Sequence, residues 1–243
     1  MKLLLHACCG PCSLEPTRLL LDQGHDITIA YMNSNIQPYP EYVRRWETLC
    51  RWAKEQGIPV VEGVYDEGVW AQGPGAVMRA GAPCEDRCRV CYRMRLEEAA
   101  RYAQEHGFEA ISTTLAVSPY QLSEICHEEL QKAARSHGLE CVWEDFRPYY
   151  PEATRRSRAL GMYRQNYCGC LVSKAEADTE RAQRKREKAA ARAAREAEEA
   201  PIREEKKRQR AAYEAKQHAK REARDRARAM AKMTSRRLDE ERL

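Results

Sequence analysis

The chain has 243 residues, with 42 Lys and Arg against 37 Asp and Glu, a formal charge of +5, and 11 cysteines. That length allows one or two domains with a real core, while the odd cysteine total and its low share exclude a small disulfide scaffold. No run approaches the roughly 18 apolar residues of a membrane span, and the apolar start Met1–His6 is too short for a signal peptide. The expectation is a cytoplasmic protein with no membrane partner, in which clustered cysteines serve metal or redox chemistry rather than bridges.

The chain opens with a strand, Lys2–Ala7. A repeated punctuation follows. Asp22-Gln23-Gly24 precedes the apolar run Ile27–Tyr31, Glu55-Gln56-Gly57 precedes Ile58–Val61, Glu105-His106-Gly107 precedes Phe108–Thr113, and Ser136-His137-Gly138 precedes Leu139–Trp143. Each helical pattern ends in a glycine suited to the residue after the helix, and a β-branched strand follows. Strands alternating with helices imply βαβ crossovers, so five strands should make an α/β, Rossmann-like, mainly parallel sheet with helices on both faces. Ligands in such sheets bind beyond the carboxyl ends of the strands. Residues 6–12 after the first strand and 113–120 after the fourth should therefore line the site.

Residues 174–243 hold 23 basic and 15 acidic residues, a net of +8, and residues 1–173 carry 19 and 22, a net of −3. All cysteines lie between Cys8 and Cys170. Two domains are expected: an α/β catalytic unit over 1–173 and a basic Ala/Arg/Lys/Glu-rich helical extension over 174–243. The extension should form a helix to about Ala200, break at Pro201, and resume from about Ile202 to Met233. Its larger apolar residues (Ile202, Tyr213, Met230, Met233, Leu238) make no heptad seam, which argues against a coiled coil. It reads either as a solvated charged tail or as an arm for nucleic acid phosphates.

The cysteines fall in three clusters. His6-Ala7-Cys8-Cys9-Gly10-Pro11-Cys12 follows the first strand. Cys84-Glu85-Asp86-Arg87-Cys88-Arg89-Val90-Cys91-Tyr92 stands ahead of a helix running to Ala103, and Tyr167-Cys168-Gly169-Cys170 closes the globular part. Cys9-x2-Cys12 has thioredoxin-type spacing, but it lies too early in the fold and has an extra neighbouring thiol. Cys88-x2-Cys91 is a chelating pair, suited to zinc or to an iron–sulfur cluster. Adjacent Cys8 and Cys9 are expected to point apart, which suits two irons of a cubane better than one zinc ion. Cys168 and Cys170 would make a strained and therefore redox-labile ring if oxidised, or would serve as further ligands. Cys50, Cys126 and Cys141 read as core residues.

These segments resemble the QueH family of epoxyqueuosine reductases. The resemblance also rests on Asn33-Ser34-Asn35-Ile36-Gln37-Pro38 with Glu41, Tyr42 and Arg45, on the run to Arg93-Met94-Arg95-Leu96, on Thr113–Gln121, on Asp145-Phe146-Arg147, and on Gln165-Asn166 before Tyr167. It implies a fold of the adenine-nucleotide-hydrolase (HUP) type and reduction of the epoxide of epoxyqueuosine in tRNA to the alkene of queuosine. By position it makes Cys8, Cys9, Cys88 and Cys91 the [4Fe-4S] ligands and Cys168 with Cys170 a redox-active pair. The implied partners are tRNA carrying epoxyqueuosine at the wobble position and an unidentified electron donor. Ser34 departs from the proline expected there, and Cys12 is an additional candidate ligand.

Removing the epoxide oxygen takes two electrons and two protons and releases water. A second mononuclear metal, iron, would polarise the oxygen, with Cys12, Cys84, Cys168 and Cys170 as candidates to hold it. Asp86, Tyr120 and His6 are candidate proton donors. Arg93 and Arg95 read as phosphate contacts or a solvated helix face, and Asn33 and Asn35 as base readers or turn caps. Two rival readings are an ATP-dependent tRNA thiolation enzyme and a zinc-containing RNA-binding module. The first needs a Ser-Gly-Gly phosphate loop where this chain has Cys8–Cys12, and the second predicts a colourless zinc protein.

Overall fold

The first strand, β1 (Lys2–His6), is apolar on both faces, as a central parallel strand must be. Leu3 and Leu5 enter one core with Ile27, Ile29, Tyr31 and Trp52, while Leu4 enters the opposite core with Leu96, Ile111 and Leu130. This two-residue alternation places a hydrophobic layer on each side of the sheet. The computed structural model describes residues 1–240, with side chains described as far as residue 231. Residues 241–243 and the side chains of Met233 and Leu238 lie outside the described residues.

In chain order β1 is followed by α1 (Gly10–Asp22), β2 (Asp26–Tyr31), α2 (Tyr39–Glu55), β3 (Val60–Glu62), α3 (Glu67–Gln72), α4 (Pro74–Arg79) and α5 (Cys84–Glu105). Then come β4 (Ala110–Thr113), a 3-10 turn (Thr114–Val117), α6 (Ser123–Ser136), β5 (Glu140–Cys141), α7 (Tyr150–Ala159) and α8 (Leu171–Glu240). The sheet is parallel throughout, in the order β3-β2-β1-β4-β5. This is the doubly wound order of a Rossmann-like fold, and the chain reverses direction across the sheet between β1 and β4. The crevice at that switch point lies beyond His6 and Thr113, which are paired in register.

The helix-ending glycines behave as their position requires. Gly24 and Gly107 take φ of 84° and 67°, a region closed to most residues with a Cβ. Helix α5 buries Cys91, Tyr92, Arg95, Leu96, Ala99, Ala100 and Ala103 on one stripe at three- and four-residue spacing.

Three expectations need correction. The fifth strand is only Glu140–Cys141, not Leu139–Trp143. It is an edge strand paired on one side, although the Val142 amide still donates to the Ile111 carbonyl at 3.0 Å. The second cysteine cluster does not precede its helix but forms the first two turns of α5. Pro201 does not break the extension, and α8 is helical on both sides of it. A proline removes one backbone bond, and on an exposed helix water takes up the freed carbonyl, so strong helix formers on either side keep the winding.

The chain divides into two compact units, Met1–Asp178 and Thr179–Leu243. Among the described residues no helix is long and apolar enough to cross a membrane.

Candidate functional site

Strand β1 delivers its thiols directly to the switch point. The Ala7 amide makes the last bond to β2, donating to the Ala30 carbonyl at 2.9 Å. Cys8 and Cys9 follow, and Gly10-Pro11 starts α1, since proline in the first turn of a helix has no amide to leave unsatisfied. The Sγ atoms of Cys8, Cys9 and Cys12 all lie within 4.8 Å of one another, a group able to hold a metal ion. Cys8 and Cys9 do not point apart as expected, for their sulfurs are 3.7 Å apart. The Gln165 amide donates to Cys9 Sγ at 2.8 Å and lies 3.8 Å from Cys12 Sγ, which ties the segment before Cys168 to the first cluster.

Hydrogen bonds within the group favour the thiolate on Cys8 over those on Cys9 and Cys12. Hydrogen bonds from Cys12 and Cys9 hold the Cys8 thiol well below its ordinary range, with Arg95 and Arg45 adding to the effect against burial. Burial pushes Cys9 up to about 12, and donation to Cys8 raises Cys12.

The second cluster lies on α5. Cys88 is half-buried and pushed up to about 12 by burial, and Cys91 is buried and raised for the same reason. Cys84 is exposed, with its sulfur 3.9 Å from that of Cys88 and 2.9 Å from Arg87 Nη2. Arg87 also pairs with Glu176 at 3.1 Å. Asp86, beside it, is exposed.

In the third cluster Cys170 is buried against Cys91 and Trp70, and Cys168 is exposed. The loop is held from below by Arg45, which is fully buried. Its guanidinium donates to the Cys168 carbonyl at 2.7 Å and the Tyr167 carbonyl at 3.2 Å, and Glu41 accepts from its Nε at 2.8 Å. The Gln121 amide reaches Cys168 Sγ at 3.5 Å, and the Tyr92 hydroxyl donates to Gln121 Oε1 at 2.8 Å. Tyr120, next to Gln121, is 78% exposed and stands edge-on to Tyr150 with ring centroids 6.2 Å apart.

Arg95 is the residue that sequence reasoning misread. It is buried rather than solvated, and its Nη2 donates to Asn33 Oδ1 at 2.6 Å. Asn33 in turn donates to the Ala7 carbonyl at 2.8 Å, so it bridges β1 to α5 instead of capping a turn. The Arg95 charge acts on Cys8, Cys91, Cys168 and Cys126 together. A buried cation among thiols is the counter-charge that an anionic thiolate centre needs. Arg93 is half-exposed and pairs with Glu129 at 2.8 Å. His6 is fully buried, within hydrogen-bond distance of Thr113 Oγ1 at 3.0 Å, and held down to about 3 by burial and by Arg95. It is neutral at working pH and does not arrive at the site as an imidazolium acid. Cys126 is buried in the core, as expected, and Cys50 and Cys141 are half-buried.

The donor set fits a soft-metal centre. It consists of three thiols of one chain segment, Cys8, Cys9 and Cys12, with no hard carboxylate in the close group and without Cys88 or Cys91, and buried Arg95 Nε and Gln165 Oε1 have no protein partner.

A family model described as "Epoxyqueuosine reductase QueH" matches residues 3–176. Curated relatives with that same description include proteins of Dehalococcoides mccartyi, Haemophilus influenzae and Acinetobacter baylyi. The first is 31% identical, covering 72% of this chain and 93% of its own. The second is 34% identical, covering 77% of each chain. The third is 36% identical, covering 71% of this chain and 80% of its own.

Proposed function

This chain belongs to the epoxyqueuosine reductase QueH family, and from that premise we propose that its thiols hold a [4Fe-4S] cluster beside a redox-active cysteine pair. The chain is an oxidoreductase, an epoxyqueuosine reductase. Its substrate is epoxyqueuosine at the wobble position of tRNA, and the reaction takes place in the cytoplasm, where clustered thiols stay reduced.

Cys8, Cys9, Cys88 and Cys91 would hold the cluster, with Cys12 and Cys84 left, beside Cys168 and Cys170, as candidates to hold a second iron. Bound there, the cluster would relay electrons one at a time from the external donor, a capacity that side chains lack. The observation that supports this reading is the convergence of Cys8, Cys9 and Cys12 at the end of β1, with the Arg95 charge acting on Cys8 and also on Cys91 and Cys168.

The protein's own groups account for the rest. Conversion of the epoxide to the alkene consumes two electrons and two protons and releases water. Oxidation of the Cys168 and Cys170 thiols to a disulfide releases the same two electrons and two protons, so the step balances. A separate electron donor then returns the pair to thiols. Gln121 and Arg45 hold Cys168 in place through its sulfur and its carbonyl. Tyr120 and Asp86, both exposed, would relay these protons at the rim.

Anaerobically purified protein incubated with epoxyqueuosine-containing tRNA and a chemical reductant should yield queuosine on nucleoside analysis. Cys88→Ala should lose iron and the brown colour together with turnover. A colourless wild type with one zinc per chain would instead establish the zinc-module reading, and a full cluster in Cys88→Ala would overturn the ligand set.

A further inference from the structure

Helix α8 carries two different charge patterns along one continuous element. Residues 174–205 hold nine basic and nine acidic residues and are neutral. Their charges interlock at four-residue spacing, with Lys174 on Asp178, Arg184 on Glu180, Arg192 on Glu196 and Arg195 on Glu199. That is how a helix with only water to face keeps itself wound. Residues 206–237 hold thirteen basic and three acidic residues, a net of +10. Among the described residues of this stretch, Arg210 with Glu214 is the one Lys or Arg ion pair.

We propose that residues 206–231 form a docking surface for the phosphate backbone of RNA. Lys206, Arg210, Lys220, Arg221, Arg224 and Arg228 fall within an arc of about 100° on the helix surface. Lys206 with Arg210, Lys220 with Arg224, and Arg224 with Arg228 are like charges four residues apart. Each such pair destabilises an isolated helix. The interlocked first half shows that the same helix has another pattern open to it, so a stretch that keeps the repulsion is built for an anionic partner that relieves it. A polyanion does so, releasing its counterions as it binds.

An anionic membrane would also attract the charge, but the helix offers it nothing to insert. The side opposite the cationic arc carries alanines with Arg208, Glu222 and Arg226 among them, and the large apolar residues described between 206 and 231 are Tyr213 and Met230. Interfacial helices need a face of Trp, Phe or Leu. A helical protein partner would need a heptad seam, which is missing for the same reason.

The test uses the full-length chain and an unmodified tRNA transcript, so its outcome does not depend on the epoxide chemistry. Replacing the six arc residues by Gln, a good helix former, should lower the slope of log affinity against log salt by about 4 and weaken binding at low salt by about tenfold or more. A variant with Arg210, Arg221, Arg224 and Arg228 replaced by Lys keeps the charge and should keep the slope. Ellipticity at 222 nm confirms that each variant retains its helix. Unchanged tRNA binding in the Gln variant would overturn the proposal. So would tighter binding of the wild type to phosphatidylserine vesicles than to tRNA.

Discussion

Gly169 separates Cys168 from Cys170, and a Cβ added to it would stand 2.6 Å from Asn35 Nδ2 and 3.2 Å from Ile36 Cγ1. The Gly169 carbonyl also accepts from the Gln37 amide at 3.0 Å, so the loop cannot slide away without breaking that bond. Gly169→Ala should therefore displace both thiols while leaving the sheet untouched. The expected result is a fall in single-turnover epoxide reduction of about tenfold or more, with an unchanged far-ultraviolet spectrum. Full turnover would show that the loop position is not critical. The need for glycine here is invisible in the sequence, because it comes from a segment more than a hundred residues away. The same holds for Arg95. A charged residue on a polar helix reads as solvated until Asn33 and the surrounding thiols are known to cover it. The thiols themselves were legible, since Cys-x2-Cys spacing and a strand end are local features.

At the level of elements, α5 is clamped to α6 through one carboxylate. Glu129 is buried and bonds Arg89 at 3.0 Å, Arg93 at 2.8 Å and Lys132 at 2.8 Å. Those cations outweigh burial and hold it down to about 2. A folded value below the unfolded one means that the stabilisation is complete above about pH 4.5 and is lost as pH falls toward 2. Glu129→Gln should thus lower the denaturation midpoint at pH 7, and its gap from the wild type should narrow through pH 4 and 3. A gap independent of pH would show that the clamp is not electrostatic. The sheet order and the glycine-ended helices were readable because hydrophobic period and helix stop signals are short-range. The clamp and the brevity of β5 were not, because each depends on what lies across the gap between elements.

Over the whole molecule, the globular unit and the extension rest on different physics. Every residue of the three hydrophobic clusters lies at or before Val172. From Thr179 to residue 231 the side chains are exposed, apart from partly covered Ala200. The first unit is therefore held by a shared core and should unfold cooperatively. The second is held by propensity and by four-residue ion pairs worth a few tenths of a kcal/mol each, so it should lose helix gradually. The charge division in the sequence pointed to this separation, although the expected break at Pro201 did not follow from it. All four tryptophans, Trp46, Trp52, Trp70 and Trp143, belong to the first unit and report on it alone. On heating, near-ultraviolet signal should fall in one sharp step, while far-ultraviolet signal also drifts down from low temperature. A chain ending after Asp178 should lose the drift and keep the step within about 2–4 °C, equivalent to about 1 kcal/mol at this size. A shift much beyond that would show that the extension contributes to the stability of the core, and the two-unit reading would fail.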